Sequence, residues 1–195
     1  MRDRAKFLAA FVRRPLDTGS ITPSSAQLAE AMVEGMGVAE ADTVVEVGPG
    51  TGVFTEVIER QLKPGAKLLC FEIDRRMAEE LSKKFPRVQV VNDSIESLAA
   101  HLEAERRDGV DAAISGLPWG AFSPERQQRL LDATVKPLKP GGRFATFAYS
   151  HAAWMPQARR FRELLDSRFS LVETSKVVWR NVPPAFVYRC RKQAI

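Results

Sequence analysis

Val44-Val45-Glu46-Val47-Gly48-Pro49-Gly50-Thr51-Gly52 joins an apolar run, one carboxylate and three alternating glycines. The run has the character of a strand, and a helix is expected from Val53 to Leu62. Glycine lets the turn between them bend sharply and approach a ligand without a Cβ in the way. The helix N-terminus leaves unpaired N–H groups at the same place. The spacing discriminates between ligands. A dinucleotide fingerprint, G-x-G-x-x-G, requires glycine at its sixth position. Here that position is Val53, and the third glycine comes one residue early, at Gly52. Glu46 would repel a pyrophosphate and attract a cationic amino-acid head. A glycine turn that binds nothing is the competing reading.

Three further groups sit where later strands should end. Cys70-Phe71-Glu72-Ile73-Asp74 closes the second. Glu72 there can accept hydrogen bonds from both hydroxyls of a ribose, and Ile73 offers an apolar face to an adenine. Alternatively Glu72 is solvated or caps a helix, although Asp74, directly before Arg75-Arg76-Met77, is the better N-cap. Asn92-Asp93-Ser94-Ile95 follows the third strand. Asp93 can accept from an adenine amino group and Ile95 can pack on the ring, or Asp93 or Ser94 simply caps the next helix. Ser115-Gly116-Leu117-Pro118-Trp119 follows the fourth. Gly and Pro impose a rigid turn. Trp119 either turns an aromatic face to a pocket, where it would stabilise a methylated ammonium, or is buried against the following helix.

The elements that must hold these groups alternate regularly after residue 40. Strands are expected at Thr43–Val47, Lys67–Glu72, Val88–Asn92, Ala112–Ser115 and Arg143–Tyr149. Helices are expected at Val53–Leu62, Arg75–Phe85, Ser94–Ala104 and Pro124–Val135. A last helix, Gln157–Ser167, leads to strands near Leu171–Trp179 and Ala185–Cys190. This βαβ rhythm predicts a mostly parallel sheet with helices on both faces. Ligands of such sheets bind beyond the carboxyl ends of the strands, where all four groups fall.

Composition narrows the class. A chain of 195 residues with 45% hydrophobic residues can build one full core and is not disordered. Its apolar runs are too short to span a bilayer. Arg13, Arg14 and Pro15 interrupt the only apolar segment near the N-terminus, so a secretory signal is not expected. Cys70 and Cys190 lack C-x-x-C spacing, which suggests buried thiols and a reducing cytoplasm. With only His101 and His151 besides, no metal site is expected. The net charge of +5 favours acidic partners, nucleic acid or anionic membrane, without choosing between them.

The E-x-G-x-G-x-G segment resembles the first motif of the S-adenosylmethionine (SAM) methyltransferases, and Ser115–Trp119 resembles the acceptor motif of those that methylate amino groups. RNA adenine dimethyltransferases carry an Asn-Leu-Pro-Tyr version. This chain departs from it, with Ser115 in place of the amide or carboxylate and Trp119 at the end. The Ser-Gly-Leu-Pro form is similar to soluble bacterial phospholipid N-methyltransferases. So are Pro15–Ser25, containing Thr18-Gly19-Ser20, and Arg180-Asn181-Val182-Pro183-Pro184-Ala185. The resemblance implies an α/β fold of the class I SAM-dependent methyltransferase type, a seven-stranded, mostly parallel Rossmann-like sheet. It implies SAM as cofactor and S-adenosylhomocysteine as product. Glu46, Gly48, Gly50, Thr51, Gly52, Glu72, Ile73, Asp93, Ser94 and Ile95 would hold the cofactor, with Thr18, Gly19 and Ser20 folding over it. Ser115, Gly116, Leu117, Pro118, Trp119 and Tyr149 would form the acceptor site. The Ser115 hydroxyl and carbonyl, Tyr149 and His151 are the candidates to orient an amine. Phosphatidylethanolamine and its mono- and dimethyl derivatives are the implied acceptors, methylated toward phosphatidylcholine.

Asp3–Arg14 has a short amphipathic pattern. Phe7, Leu8, Phe11 and Val12 share one helical face, flanked by Arg2, Arg4, Lys6, Arg13 and Arg14. A basic helix with aromatic residues on its apolar side suits the surface of an anionic bilayer. It could equally dock on the core over the cofactor, or serve as an RNA-binding arm. The expected organisation is a membrane-binding and SAM-covering segment, residues 1–22, before a methyltransferase domain, residues 23–195. The enzyme would then work from the cytoplasm at the inner face of the membrane. Rivals are an RNA adenine dimethyltransferase, a methyltransferase for a small soluble amine, and a SAM- or lipid-binding module without catalysis. No nucleic-acid partner is expected, because aromatics interleaved with clustered basic residues are lacking.

Overall fold

The computed structural model describes residues 24–194. The expected N-terminal helix, with Phe7, Leu8, Phe11 and Val12, lies outside the described residues, as do Thr18, Gly19 and Ser20. Helix α1 (Ala26–Val33) opens the described chain. Then follow β1 (Thr43–Val47), α2 (Val53–Gln61), β2 (Lys67–Phe71), α3 (Arg75–Lys84), β3 (Gln89–Val91), α4 (Leu98–Ala104) and β4 (Val110–Ser115). The last elements are α5 (Pro124–Val135), β5 (Leu138–Tyr149), α6 (Pro156–Arg168), β6 (Leu171–Thr174) and β7 (Ala185–Arg191). The seven strands form one sheet in the order β3-β2-β1-β4-β5-β7-β6. β1 to β5 are parallel, and β7 runs antiparallel to both β5 and β6. The expected mostly parallel seven-stranded sheet is therefore present.

Residue alternation assigns the two faces. Val45, Val47, Leu69, Phe71, Phe144 and Tyr188 pack under α4, α5 and α6. Val44, Leu68, Cys70, Ile114, Ala145 and Val187 pack under α1, α2 and α3. Both sides of the central strands are buried, so those strands read as continuous apolar runs. Local chemistry sets the helix starts. The Asp74 carboxylate accepts from the N–H groups of Arg76 and Met77, and Ser123 Oγ caps α5 ahead of Pro124.

Several boundaries differ from the sequence reading. β5 begins at Leu138, five residues earlier than expected, because the chain around Pro140-Gly141-Gly142 stays in the strand while pairing with β4 shifts register between Val110 and Ala112. The expected helix Ser94–Ala104 is a 3-10 turn, Ile95–Ser97, followed by α4. The expected strand Leu171–Trp179 stops at Thr174, and Val178 then makes an isolated bridge to Ala185. Helix α1 was not foreseen. Its Leu28, Ala29, Met32 and Val33 are buried against α2, β5 and β7. Leu28→Ala should therefore lower stability by about 2–5 kcal/mol, read from the midpoint of urea unfolding. A loss below about 1 kcal/mol would mean that α1 is not an integral part of the core.

Candidate active site

The β1 turn and the β4 turn meet at the carboxyl edge of the sheet. The Gly116 N–H donates to Val47 O at 2.8 Å. A Cβ on Gly116 would stand 2.6 Å from Gly48 O, so the two backbones approach as only glycine allows. Gly50 has φ +56, and a Cβ there would meet only Met77 Cε, at 3.8 Å. Open space thus lies above Gly50, beside the start of α2, whose N-cap Gly52 gives no side-chain hydrogen bond. Gly52 has a different role from Gly50, since a Cβ there would press on Phe85 and Leu81.

Two buried carboxylates support this turn. Glu46 is fully buried below it, with Oε2 accepting from Thr55 Oγ1 at 2.7 Å and from Cys70 Sγ at 3.4 Å. Its Oε1 has no partner among the described residues. Burial lifts its pKa to about 7. Glu72 is 7% exposed. Its Oε2 accepts from Gly50 N and its Oε1 from Asp74 N, while its carbonyl accepts from Asn92 Nδ2. Burial raises its pKa also. Glu72 therefore ties together the ends of β1, β2 and β3. The sequence reading weighed a ribose, solvent or a helix cap for its oxygens, not these backbone partners.

The acceptor motif needs correction in the same sense. Ser115 is fully buried, and its side chain is engaged within the turn. Its hydroxyl accepts from Trp119 Nε1 at 3.2 Å and from Leu117 N at 3.3 Å, and its carbonyl accepts from Thr146 Oγ1. Trp119 is buried between both helices: Gln127 Nε2 of α5 donates to its carbonyl at 2.7 Å, and its ring faces α6. Its indole stacks on Phe161 at 4.7 Å and meets Phe122 and Phe144 edge-on. Ile95 belongs to the core and not to a ring-binding surface, because the 3-10 turn points it inward. Asp93 and Ser94 take the capping alternative in part. Asp93 Oδ1 accepts from Ser94 N, which lowers the Asp93 pKa, and Ser94 Oγ accepts from Glu96 N. Ile73 is exposed, as an adenine face requires.

A cavity of about 430 Å³ opens over the two turns. Of the expected site residues, Gly48, Gly50, Thr51, Gly116, Leu117, Pro118, Trp119 and Tyr149 line it. Glu46, Gly52, Glu72, Ile73, Asp93, Ser94, Ile95 and Ser115 do not line it. Met77, Phe54, Phe147, Phe161 and Tyr188 also line it and were missed. The alternation that placed Tyr149 at the end of β5 could have found Phe147, two residues earlier on the same face. Nothing in the sequence pointed to Phe161 or Tyr188. Tyr149 makes an edge contact with Phe147 and stacks on His151. Burial raises its pKa, so the phenol stays neutral. Two segments that carried the family resemblance also meet here. Ser25 N donates to Asn181 Oδ1 at 2.9 Å, and Ser24 lines the cavity.

The sheet order and the glycine turn at β1 define a class I SAM-dependent methyltransferase. A sequence profile described as a methyltransferase domain matches residues 44–142, and the chain belongs to that family. It is 30% identical over 194 residues to the ornithine lipid N-methyltransferase of Singulisphaera acidiphila, covering 98% of this chain and 97% of that one. It is 36% identical to ribosomal RNA small subunit methyltransferase A of Acidobacterium capsulatum, over 46% of this chain and 31% of that enzyme. Among solved structures, the N-methyltransferase NodS of Bradyrhizobium japonicum superposes with a TM-score of 0.68 at 13% identity, over 86% of this chain and 95% of its own. The cofactor is S-adenosylmethionine. The residues fit it, with open space above Gly50 and an unpaired carboxylate oxygen on Glu46 beneath the turn.

Ionisation of Glu46 then has a defined sign. Its folded pKa, about 7, lies above the ordinary 4.5, so the stability it contributes is complete below pH 4.5 and lost as pH rises through 7. Glu46→Gln should raise the melting temperature of the ligand-free protein more at pH 8 than at pH 5. An equal shift at both would show that Glu46 does not titrate in this range. Glu72→Ala should weaken S-adenosylhomocysteine binding and also lower stability by about 1–3 kcal/mol, since it removes bonds to two backbone N–H groups. Calorimetric titration paired with thermal unfolding reads both. Unchanged stability would mean that Glu72 serves the ligand alone.

Proposed function

We propose that this methyltransferase transfers the SAM methyl group to the amine of a membrane lipid, phosphatidylethanolamine and its partly methylated derivatives, at an anionic bilayer surface. The observation that carries the reading is similarity along the whole chain to an enzyme whose substrate is an amine-bearing lipid. The cavity suits such an acceptor, because no charged side chain among the described residues lines it. Bound SAM supplies an electrophilic methyl on a sulfonium. An ammonium entering this site sheds water without gaining a carboxylate partner, which favours loss of its proton before attack. Phe147 and Tyr149 present aromatic faces to a cationic head whether it carries one methyl or two. The Tyr149 hydroxyl has no hydrogen bond among the described residues and stands free to accept from the amine. Glu72 with Ile73, and Asp93, are proposed for the ribose and the adenine, with Thr18, Gly19 and Ser20 as the cover.

Surface chemistry supports the bilayer. Trp154 and Trp179 are 73% and 75% exposed, and Met155 and Val182 are exposed beside them in sequence. Both segments sit at the same end of the sheet, since Ser150 bonds to Pro184 O through its N–H and its hydroxyl. Arg159, Arg160, Lys176 and Arg180 are exposed in these segments. Together with the basic face around Phe7, Leu8, Phe11 and Val12, they suit anionic lipid. No described helix is long and apolar enough to cross a membrane. Action from the cytoplasm on the inner leaflet belongs to the same proposal. A second reading, ornithine lipid as the acceptor, is favoured by the relative's substrate.

Labelled SAM with vesicles of phosphatidylethanolamine, vesicles of ornithine lipid, or ribosomal RNA decides among these. Phosphatidylethanolamine should acquire label as mono-, di- and trimethyl products. Tyr149→Phe should lower kcat about tenfold or more while S-adenosylhomocysteine affinity holds. Label in ornithine lipid alone would replace the substrate, and label in RNA alone would overturn the lipid assignment.

A further inference from the structure

The cavity is lined by residues from both faces of the sheet, and the part on each face is here called a lobe. In the β5–β7 pairing, Tyr149 stands opposite Ala185 and Thr146 opposite Tyr188. Tyr149 and Phe147 therefore belong to the α1–α3 face, and Tyr188 to the α4–α6 face. The chain's only two tyrosines both line the cavity, from opposite sides of the sheet. The first lobe holds the glycine turn and Tyr149. The second is the side lined by Trp119, by Tyr188 of β7 and by the start of α6. Its walls are Ala152, Met155, Ala158, Phe161 and Tyr188.

We propose that this second lobe seats the first methylenes of one acyl chain of the lipid acceptor. The inference rests on the lipid reading above and adds a ligand subsite to it. Among the described residues, a phosphate or carboxylate would find no cation in the lobe's walls and would be costly to bury there. The charged part of the head therefore stays on the first-lobe side, toward water. An alkyl segment suits the lobe, whose polar side chains are limited to Gln157 and Tyr188. The entrance agrees with this occupant. Met155 lines the cavity and is itself exposed, next to Trp154, so a chain rising from a bilayer meets apolar surface throughout. Ala158 lines the cavity as a small, half-buried residue of α6, three positions before Phe161 on the same face, so a larger side chain there would take up space in the lobe.

The test uses acceptors below their micelle-forming concentrations, so that surface binding cannot mimic chain binding. Dibutanoyl-, dihexanoyl- and dioctanoyl-phosphatidylethanolamine are compared, with N-acylornithines of matching chain length in parallel. In the unaltered protein kcat/KM should rise by about fourfold per buried methylene until the lobe is full. Ala158→Trp should flatten that dependence, and the milder Ala158→Leu should reduce it. S-adenosylhomocysteine affinity, by calorimetry, should stay within about twofold in both. A chain-length dependence as steep in Ala158→Trp as in the unaltered protein would overturn the subsite and leave the lipid reading standing. A loss of cofactor affinity of about tenfold or more would overturn it differently, giving the lobe to the cofactor or to residues 1–23. If the unaltered protein binds cofactor but methylates none of these lipids, the lipid reading itself fails and the subsite with it.

Discussion

Direct backbone contact between the turns that leave β1 and β4 is the constraint on which the rest of the site depends. Strands β1 and β4 are neighbours, and the bond from Gly116 to Val47 O extends their ladder one step past Ser115. Any side chain at Gly116 would strike the Gly48 carbonyl. Because the turns touch, the Gly48–Thr51 turn and the Gly116–Trp119 turn form one wall of the cavity. A methyl transfer needs its two reactants in line and in contact, and orientation of that kind contributes much of the rate. The fold supplies it with backbone, which does not change rotamer.

Side chains then hold that backbone in place, which explains why several groups expected to touch ligands face inward. Ser115 uses its hydroxyl to fix the Trp119 indole, and Trp119 transmits that position to α6 through Phe161. Glu72 fixes the glycine turn through Gly50 N. Glu46 and Glu72 also act on each other, since each negative charge raises the cost of ionising its neighbour. A cationic amino-acid head placed over the turn would relieve that cost. The stability of the ligand-free site therefore depends on pH in a known direction, falling as Glu46 ionises.

The apolar character of the cavity has a chemical counterpart. Among the described residues no carboxylate lines the cavity, so the site offers an ammonium no charged partner. A charged ammonium is the form that burial disfavours, and Tyr149 remains a neutral hydroxyl under the same pressure. Phe147 and Tyr149 add aromatic faces, which attract a cationic head without needing its N–H groups.

Periodicity and spacing in the sequence determined the sheet class, most of the elements, the glycine turn and the four strand-end groups. These are local properties, written in runs of alternating or continuous apolar residues and in glycine placement. Asp74 as a cap was legible for the same reason, since a cap acts on its own next turn. Only the tertiary structure decided which way each functional side chain points. A residue at a strand end has neighbours from several elements distant in sequence, and their packing selects core or cavity. That is why Ser115, Ile95 and Glu46 went inward and why Tyr188 and Phe161, silent in the sequence, reached the cavity. Helix α1 was missed because its short apolar stretch acquires meaning only against α2, β5 and β7. The contact of Ser25 with Asn181 spans 156 positions and exists only because β7 returns beside β5.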